Sequence, residues 1–213
     1  TEEGEVTYAG VCLSSTATAT LGENSVTFDV LDDGTYSDCS VTVTDAVGNA
    51  SDPLLLDPFT IDTSAPELAE VAPVTGRLSV SGKTESPTPS YTFTSSQAGT
   101  ISYGGTCSSD TMDAIVGDNT VQFSTLAEGS YEDCMLMVTD AAGNQSNKLT
   151  ISRFEVDLTA PVLSQVAPVQ TPSQDVQPIY TFNSTQAGTI TYGGSCERDT
   201  EKAIAGDTRL HFD

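Results

Sequence analysis

The chain repeats itself, and self-similarity at a fixed period is the mark of a modular array of one folded unit. The stretch AGTISYGGTCSSDTMDAIVGDNTVQF (Ala98 to Phe123) returns as AGTITYGGSCERDTEKAIAGDTRLHF (Ala187 to Phe212), and a weaker copy opens at Gly4. GTYSDCSVTVTDAVGNAS (Gly34 to Ser51) matches GSYEDCMLMVTDAAGNQS (Gly129 to Ser146). IDTSAPELAEVAPV (Ile61 to Val74) matches VDLTAPVLSQVAPV (Val156 to Val169). Cys107 follows Cys12 by 95 positions, Cys134 follows Cys39 by 95, and Cys196 follows Cys107 by 89. That period suits one small sandwich domain and is too long for a solenoid turn. The shorter second spacing places an insertion in the second unit around GRLSVSGK, Gly76 to Lys83.

Three repeats are therefore expected: the C-terminal part of a first over 1–64, a complete second over 65–159, and the N-terminal part of a third over 160–213. Because the residues start inside one repeat and stop inside another, they are expected to be a window on a longer polypeptide.

Within each unit the apolar residues alternate. Val6, Tyr8, Gly10 and Cys12 share one face, Ile101, Tyr103, Gly105 and Cys107 repeat it, and Cys39, Val41 and Val43 share another. This period of two belongs to half-buried antiparallel strands, and turns rich in Gly, Asp and Asn separate them. In the second unit strands are expected near 67–74, 90–96, 100–106, 119–125, 131–140 and 147–156, with a further short strand or the inserted hairpin around 77–83. About seven short strands in such a unit is the count of an immunoglobulin-like β-sandwich, so the fold class is all-β. Tyr36 and Tyr131 stand where a tyrosine corner would place a hydroxyl against the preceding loop.

The five cysteines are regularly placed. Cys12 and Cys39 lie 27 positions apart, as do Cys107 and Cys134, while a partner of Cys196 would fall beyond the last residue. Repeated pairs at one spacing point to disulfides and an oxidising exterior. The pairing suits neighbouring third and sixth strands, and closing such a loop stabilises the unit by roughly 3 kcal/mol. No CxxC or histidine cluster suggests zinc.

The formal charge is −23 with only 7 basic residues, and none of these lies before Arg77. Such a surface repels phosphates and anionic lipid, so neither nucleic acid nor direct membrane insertion is expected. It suits divalent cations or a salty exterior, or serves solubility alone.

The sequence VTDAAGNQS after GSY, followed by a strand and VDLTAP, resembles the bacterial immunoglobulin-like (BIg) repeats found in tandem in large cell-surface adhesins. The cysteine pair departs from most such repeats. The resemblance implies domains set end to end, with Asp62 to Pro66 and Asp157 to Pro161 as short, stiff links. It also implies calcium at the junctions, where Asp140 and Asn144 would meet Asp62, with Asp32 and Asp33 facing the same place. The competing reading makes DAAGN an ordinary Asx turn and Asp62 a local cap.

Enzymatic chemistry is not expected. His211 is the only histidine and aligns with the outward positions Thr27 and Gln122, and no paired carboxylates mark a cleft. Asn49, Asn144 and Asn183 sit in N-x-S/T sequons. Arg77 and Lys83 make the insertion a local basic feature, either docking an acidic neighbour or extending a loop. The expected role is a structural stretch of an extracellular bacterial surface fibre or adhesin stalk. Its partners would be other copies, neighbouring repeats, or a host ligand bound by domains outside these residues. The alternatives are a strand of a self-assembling filament or surface layer, and a glycan- or protein-binding module. Exposed aromatic clusters would favour glycan, but Tyr103 and Tyr192 fall on the apolar face.

Overall fold

The computed structural model describes residues 3–75, 82–194 and 202–211, and its regular structure there is all β-strand. Arg77, Cys196 and most of the insertion lie outside the described residues. The chain divides into two compact units, Thr1–Val156 and Asp157–Asp213.

The first repeat supplies β1 (Gly4–Ala9), β2 (Thr18–Ala19), β3 (Gly34–Tyr36), β4 (Ser40–Asp45), β5 (Leu54–Leu55) and β6 (Phe59–Ile61). The second supplies β7 (Leu68–Ala72), β8 (Lys83–Thr84), β9 (Ser90–Ser95), β10 (Gly99–Gly104) and β11 (Asp113–Ala114). It continues with β12 (Gly117–Gln122), β13 (Gly129–Tyr131), β14 (Met135–Thr139), β15 (Leu149–Thr150) and β16 (Phe154–Val156). The third supplies β17 (Leu163–Ala167), β18 (Ile179–Ser184), β19 (Gly188–Thr189), β20 (Lys202–Ala203) and β21 (Gly206–His211).

Alternation sets these strands. In β9, Tyr91, Phe93 and Ser95 are buried while Ser90, Thr92 and Thr94 are not. The outward threonines add β-branched stiffness, and Thr92 and Thr120 meet across the β9–β12 pair at 3.1 Å. The complete repeat has a four-stranded sheet, β11-β10-β14-β15, and a three-stranded one, β12-β9-β7. A further sheet, β13-β16-β8, contains the parallel pair β8 and β16. The first repeat reproduces the four-stranded sheet as β2-β1-β4-β5, and the third reproduces the three-stranded one as β17-β18-β21. Even the register shift recurs, between Glu70 and Ala72 and again between Gln165 and Ala167.

One core joins these sheets in the second repeat. Tyr91, Phe93 and Val121 come from the three-stranded sheet, Ile101, Leu136 and Val138 from the four-stranded one, and Phe154 and Val156 from β16. Each is almost wholly buried, which contributes about 1.5–3 kcal/mol for a large aliphatic or aromatic side chain. Phe154 stacks between Phe123 and Tyr131, with ring centroids 6.1 and 5.1 Å away. At the core's edge Glu70 accepts hydrogen bonds from the Tyr91 hydroxyl (3.1 Å), the Ser152 hydroxyl (2.7 Å) and the Ser152 amide (2.9 Å). This carboxylate ties β7 to the segment between β15 and β16. Burial first, and the charge of Glu70 second, push the Tyr91 phenol up.

Two expected strands are each broken in two. The stretch 131–140 holds the last residue of β13 and all of β14, and 147–156 holds β15 and β16, because the chain changes partners between them. β14 pairs with β10 and β15, whereas β13 pairs with β16. Of the stretch 77–83, expected as a short strand or hairpin, Gly82 and Lys83 are described, and Lys83 opens β8.

The glycine before each clamped cysteine has a steric cause. Gly105 has φ +77°, and a Cβ there would lie closer than van der Waals contact to the Asp133 carbonyl. Gly10 has φ +82°, with the Asp38 carbonyl oxygen 2.5 Å from its would-be Cβ. Gly143 also has positive φ, at +95°, but open space around its Cβ position. Gly143→Ala should therefore cost about 1–2 kcal/mol from backbone conformation alone. Gly105→Ala should cost about 2 kcal/mol more, because the ends of β10 and β14 must part. Urea midpoints at unchanged m-value measure both, and equal losses would show that the close approach has no energetic weight.

Candidate functional site

The residues singled out by the sequence gather at two places, the end of the β10–β14 pair and the link between the first two repeats. At the first, Cys107 and Cys134 form a disulfide with Cα atoms 5.2 Å apart, and both are buried. Cys12 and Cys39 form its counterpart at 5.4 Å. Two buried disulfides fit an oxidising compartment. Beside Cys107–Cys134, the Thr106 hydroxyl donates to Asp133 Oδ1 at 2.7 Å, and this bond holds the Asp133 carboxyl below its ordinary range. The tyrosines bind back to their own loops: Tyr36 donates to the Asp32 carbonyl at 2.6 Å and Tyr131 to the Ala127 carbonyl at 2.8 Å.

The link is gripped from both sides. From the first repeat, Asp33 Oδ1 accepts the Thr63 amide (2.9 Å) and the Thr63 hydroxyl (2.8 Å), and its Oδ2 accepts the Ser64 hydroxyl (2.8 Å). From the second, Asn144 Nδ2 donates to the Asp62 carbonyl (2.9 Å) and Gln97 Nε2 donates to the Ser64 carbonyl (3.0 Å). Asp62 Oδ1 meanwhile caps the Ser64 amide at 3.0 Å, and Pro66 is fully buried. Three of the five link residues, Asp62, Thr63 and Ser64, are thus hydrogen-bonded by side chains of the neighbouring repeats.

Asn144 is aimed by its own turn. Asp140 Oδ1 accepts the amides of Ala142 (2.9 Å) and Asn144 (2.8 Å), and Oδ2 accepts Asn144 Nδ2 at 3.0 Å. Partial desolvation raises the Asp140 carboxyl, and the Asn144 and backbone hydrogen bonds outweigh it, leaving the group lowered. Asp45 and Asn49 build the same turn in the first repeat. The structure therefore brings Asp33, Asp62, Asp140 and Asn144 to one junction, while Asp32 offers only its backbone carbonyl to Tyr36.

The junction residues expected to hold calcium are hydrogen-bonded to protein groups in this structure. The Asp33 and Asp140 carboxylates are taken up by N–H and O–H donors, and Asn144 turns its amide nitrogen, not its oxygen, to the link. Among the described residues, no three His, Cys, Asp or Glu side chains come together to hold a metal. The described end of the insertion is also engaged, with Lys83 Nζ 2.8 Å from Glu155 Oε2. His211 closes β21 opposite Ile179.

Sequence reasoning missed Gln97, Thr63 and Ser64. Gln97 was visible in principle, since SSQAGT (Ser95 to Thr100) returns as STQAGT (Ser184 to Thr189) with the glutamine kept. No protein-family model and no curated protein matches this sequence.

The hydrogen bonds of Thr63 first, then those of Ser64, hold the Asp33 carboxyl below its ordinary value. A lowered folded-state value contributes stability above the unfolded carboxylate range, about 3.9, and loses it as pH falls through the lowered value. The melting temperature of the native chain should exceed that of Asp33→Asn near about pH 6, and the gap should close toward about pH 2. A gap that does not change with pH would mean that the Asp33 charge does not hold the link.

Proposed function

We propose that this chain is a non-enzymatic, load-bearing stretch of an extracellular bacterial surface fibre or adhesin stalk, built of tandem immunoglobulin-like sandwiches joined end to end. The single observation that carries this reading is the link Asp62 to Pro66, hydrogen-bonded by Asp33 on one side and by Gln97 and Asn144 on the other. A link held this way resists bending, which a spacer needs and a catalytic cleft does not.

Three features support it. The three-stranded and four-stranded sheets share one core, which supports the sandwich arrangement. Each disulfide closes 27 positions, so a pulled repeat keeps that loop shut, and the loop stabilises the unit by about 3 kcal/mol. One cleft of the second repeat supports the non-enzymatic part, while the cleft of the third repeat is lined mainly by apolar side chains. The former, beside Ser109 and Asp110, is lined mainly by hydroxyls and an amide, with no paired acid and base. The reading does not require calcium.

A second reading, a strand of a filament or layer built by lateral assembly, is favoured by aliphatic side chains exposed at the same place in successive repeats.

Antibodies raised against the chain should label the outside of intact source cells along extended material. On denaturing gels the antigen should run as one very long polypeptide that migrates more slowly after reduction. Short subunits on the gel would replace the stalk with the assembled filament, and label confined to the cell interior would overturn both readings.

A further inference from the structure

Asp33, the carboxylate that grips the first link, is followed directly by Gly34. This is the only Asp-Gly dipeptide in the chain, and Asn-Gly does not occur. The pair has a reaction open to it. The Gly34 main-chain nitrogen attacks Asp33 Cγ and closes a five-membered imide, an intramolecular step favoured by proximity. The carboxyl hydroxyl leaves with the amide proton as water. A second water then breaks the bond between the Asp33 carbonyl carbon and the Gly34 nitrogen. The nitrogen regains its proton, the carbonyl carbon becomes a free carboxylate, and the main chain now runs through Cβ and Cγ. The product is isoaspartate, with composition unchanged. Glycine brings no Cβ to block the attack, and nothing lies within 4 Å of the Cβ position at Gly34.

The folded link opposes each requirement of this reaction. Ring closure needs the Asp33 carboxyl to turn back onto the next residue. Both its oxygens are instead taken by the link, Oδ1 by the Thr63 amide and hydroxyl and Oδ2 by the Ser64 hydroxyl. Gly34 is held as the first residue of β3, opposite Ile61 in β6. The same hydrogen bonds keep the carboxyl ionised, and an ionised carboxyl has no hydroxyl to lose. Thr63 and Ser64 are themselves exposed, so this clamp opens to solvent without disturbing the core. The second repeat differs at the corresponding place. The residue 95 positions on is Glu128, followed by Gly129, and its longer side chain would have to close a six-membered ring.

We propose that Asp33-Gly34 is a self-modification site at which aspartate isomerises whenever the link clamp is open, so that a link left open is marked and does not close again. In isoaspartate the carboxylate sits directly on Cα and the main chain is one carbon longer. The three bonds to Thr63 and Ser64 are then lost together. The proposal concerns the link alone and does not depend on where the protein resides.

The test follows isoaspartate at residue 33 in the full oxidised chain, incubated near neutral pH at physiological temperature. The isomeric peptides are separated by chromatography and assigned by electron-transfer fragmentation. The variant Thr63→Val, Ser64→Ala, which removes both clamping hydroxyls, should accumulate isoaspartate at least about five-fold faster than the native chain. Its far-ultraviolet spectrum and disulfide content should match the native chain, because both side chains face solvent. The native chain held unfolded in guanidinium chloride should isomerise faster still, and Asp33→Glu should give no isomer. The isomerised folded chain, once isolated, should melt no higher than Asp33→Asn. Equal rates in the native chain and the double variant would overturn the proposal, as would the absence of isoaspartate at residue 33 in the unfolded chain. An isomerised chain that melts with the native one would overturn the claim that the link stays open.

Discussion

The pairing of β10 with β14 is the contact on which the rest of the repeat depends. It supplies Ile101, Leu136 and Val138 to the core, and its far end is pinned by the Cys107–Cys134 disulfide. Gly105 lets the two backbones approach there, because any side chain at that position would strike the Asp133 carbonyl. The near end of β14 runs directly into the Asp140–Asn144 turn. Fixing the strand therefore fixes the turn, and the turn aims Asn144 at the Asp62 carbonyl. A cross-link at one end of a strand is in this way coupled to a hydrogen bond on the link at the other.

The link is a polar clamp of side chains on backbone. Its grips are a carboxylate taking three donors and two amides giving one bond each. Individually such bonds are worth about 1 kcal/mol or less at an exposed site. Their value lies in geometry: bonds from both neighbours fall on three adjacent link residues, Asp62 to Ser64, just before the buried Pro66. That suits a spacer on a strongly acidic chain, since the junction is held without bringing bare carboxylates together.

Much of this was legible in the sequence, for definite reasons. Periodicity of two in Ile101, Tyr103 and Cys107 shows a half-buried strand, and equal spacing of cysteines in two repeats gives their pairing. The partner switches between β13 and β14, and between β15 and β16, were not legible. A strand that crosses from one sheet to another keeps its local alternation, and the crossings here, Glu132 to Cys134 and Ile151 to Arg153, contain no glycine or proline. At the junction, Asp62, Asp140 and Asn144 were legible as a group because aspartate and asparagine stand out beside a Gly-rich turn. Their chemistry was not, since the same residue types serve a cation or a hydrogen-bonded cap. Gln97 was overlooked because glutamine in a loop carries no signal until its partner, the Ser64 carbonyl, is placed.

The central claim is that the link between the first two repeats is held rigid by side chains from both. The direct measurement is the distance distribution, by pulsed electron paramagnetic resonance, between spin labels on non-cysteine handles at Thr7 in β1 and Thr120 in β12. The account predicts one narrow distribution for the native chain. It predicts a clearly broader one when Asp33→Ala, Gln97→Ala and Asn144→Ala are combined, with both disulfides intact. A native distribution already as broad as the variant's would contradict it.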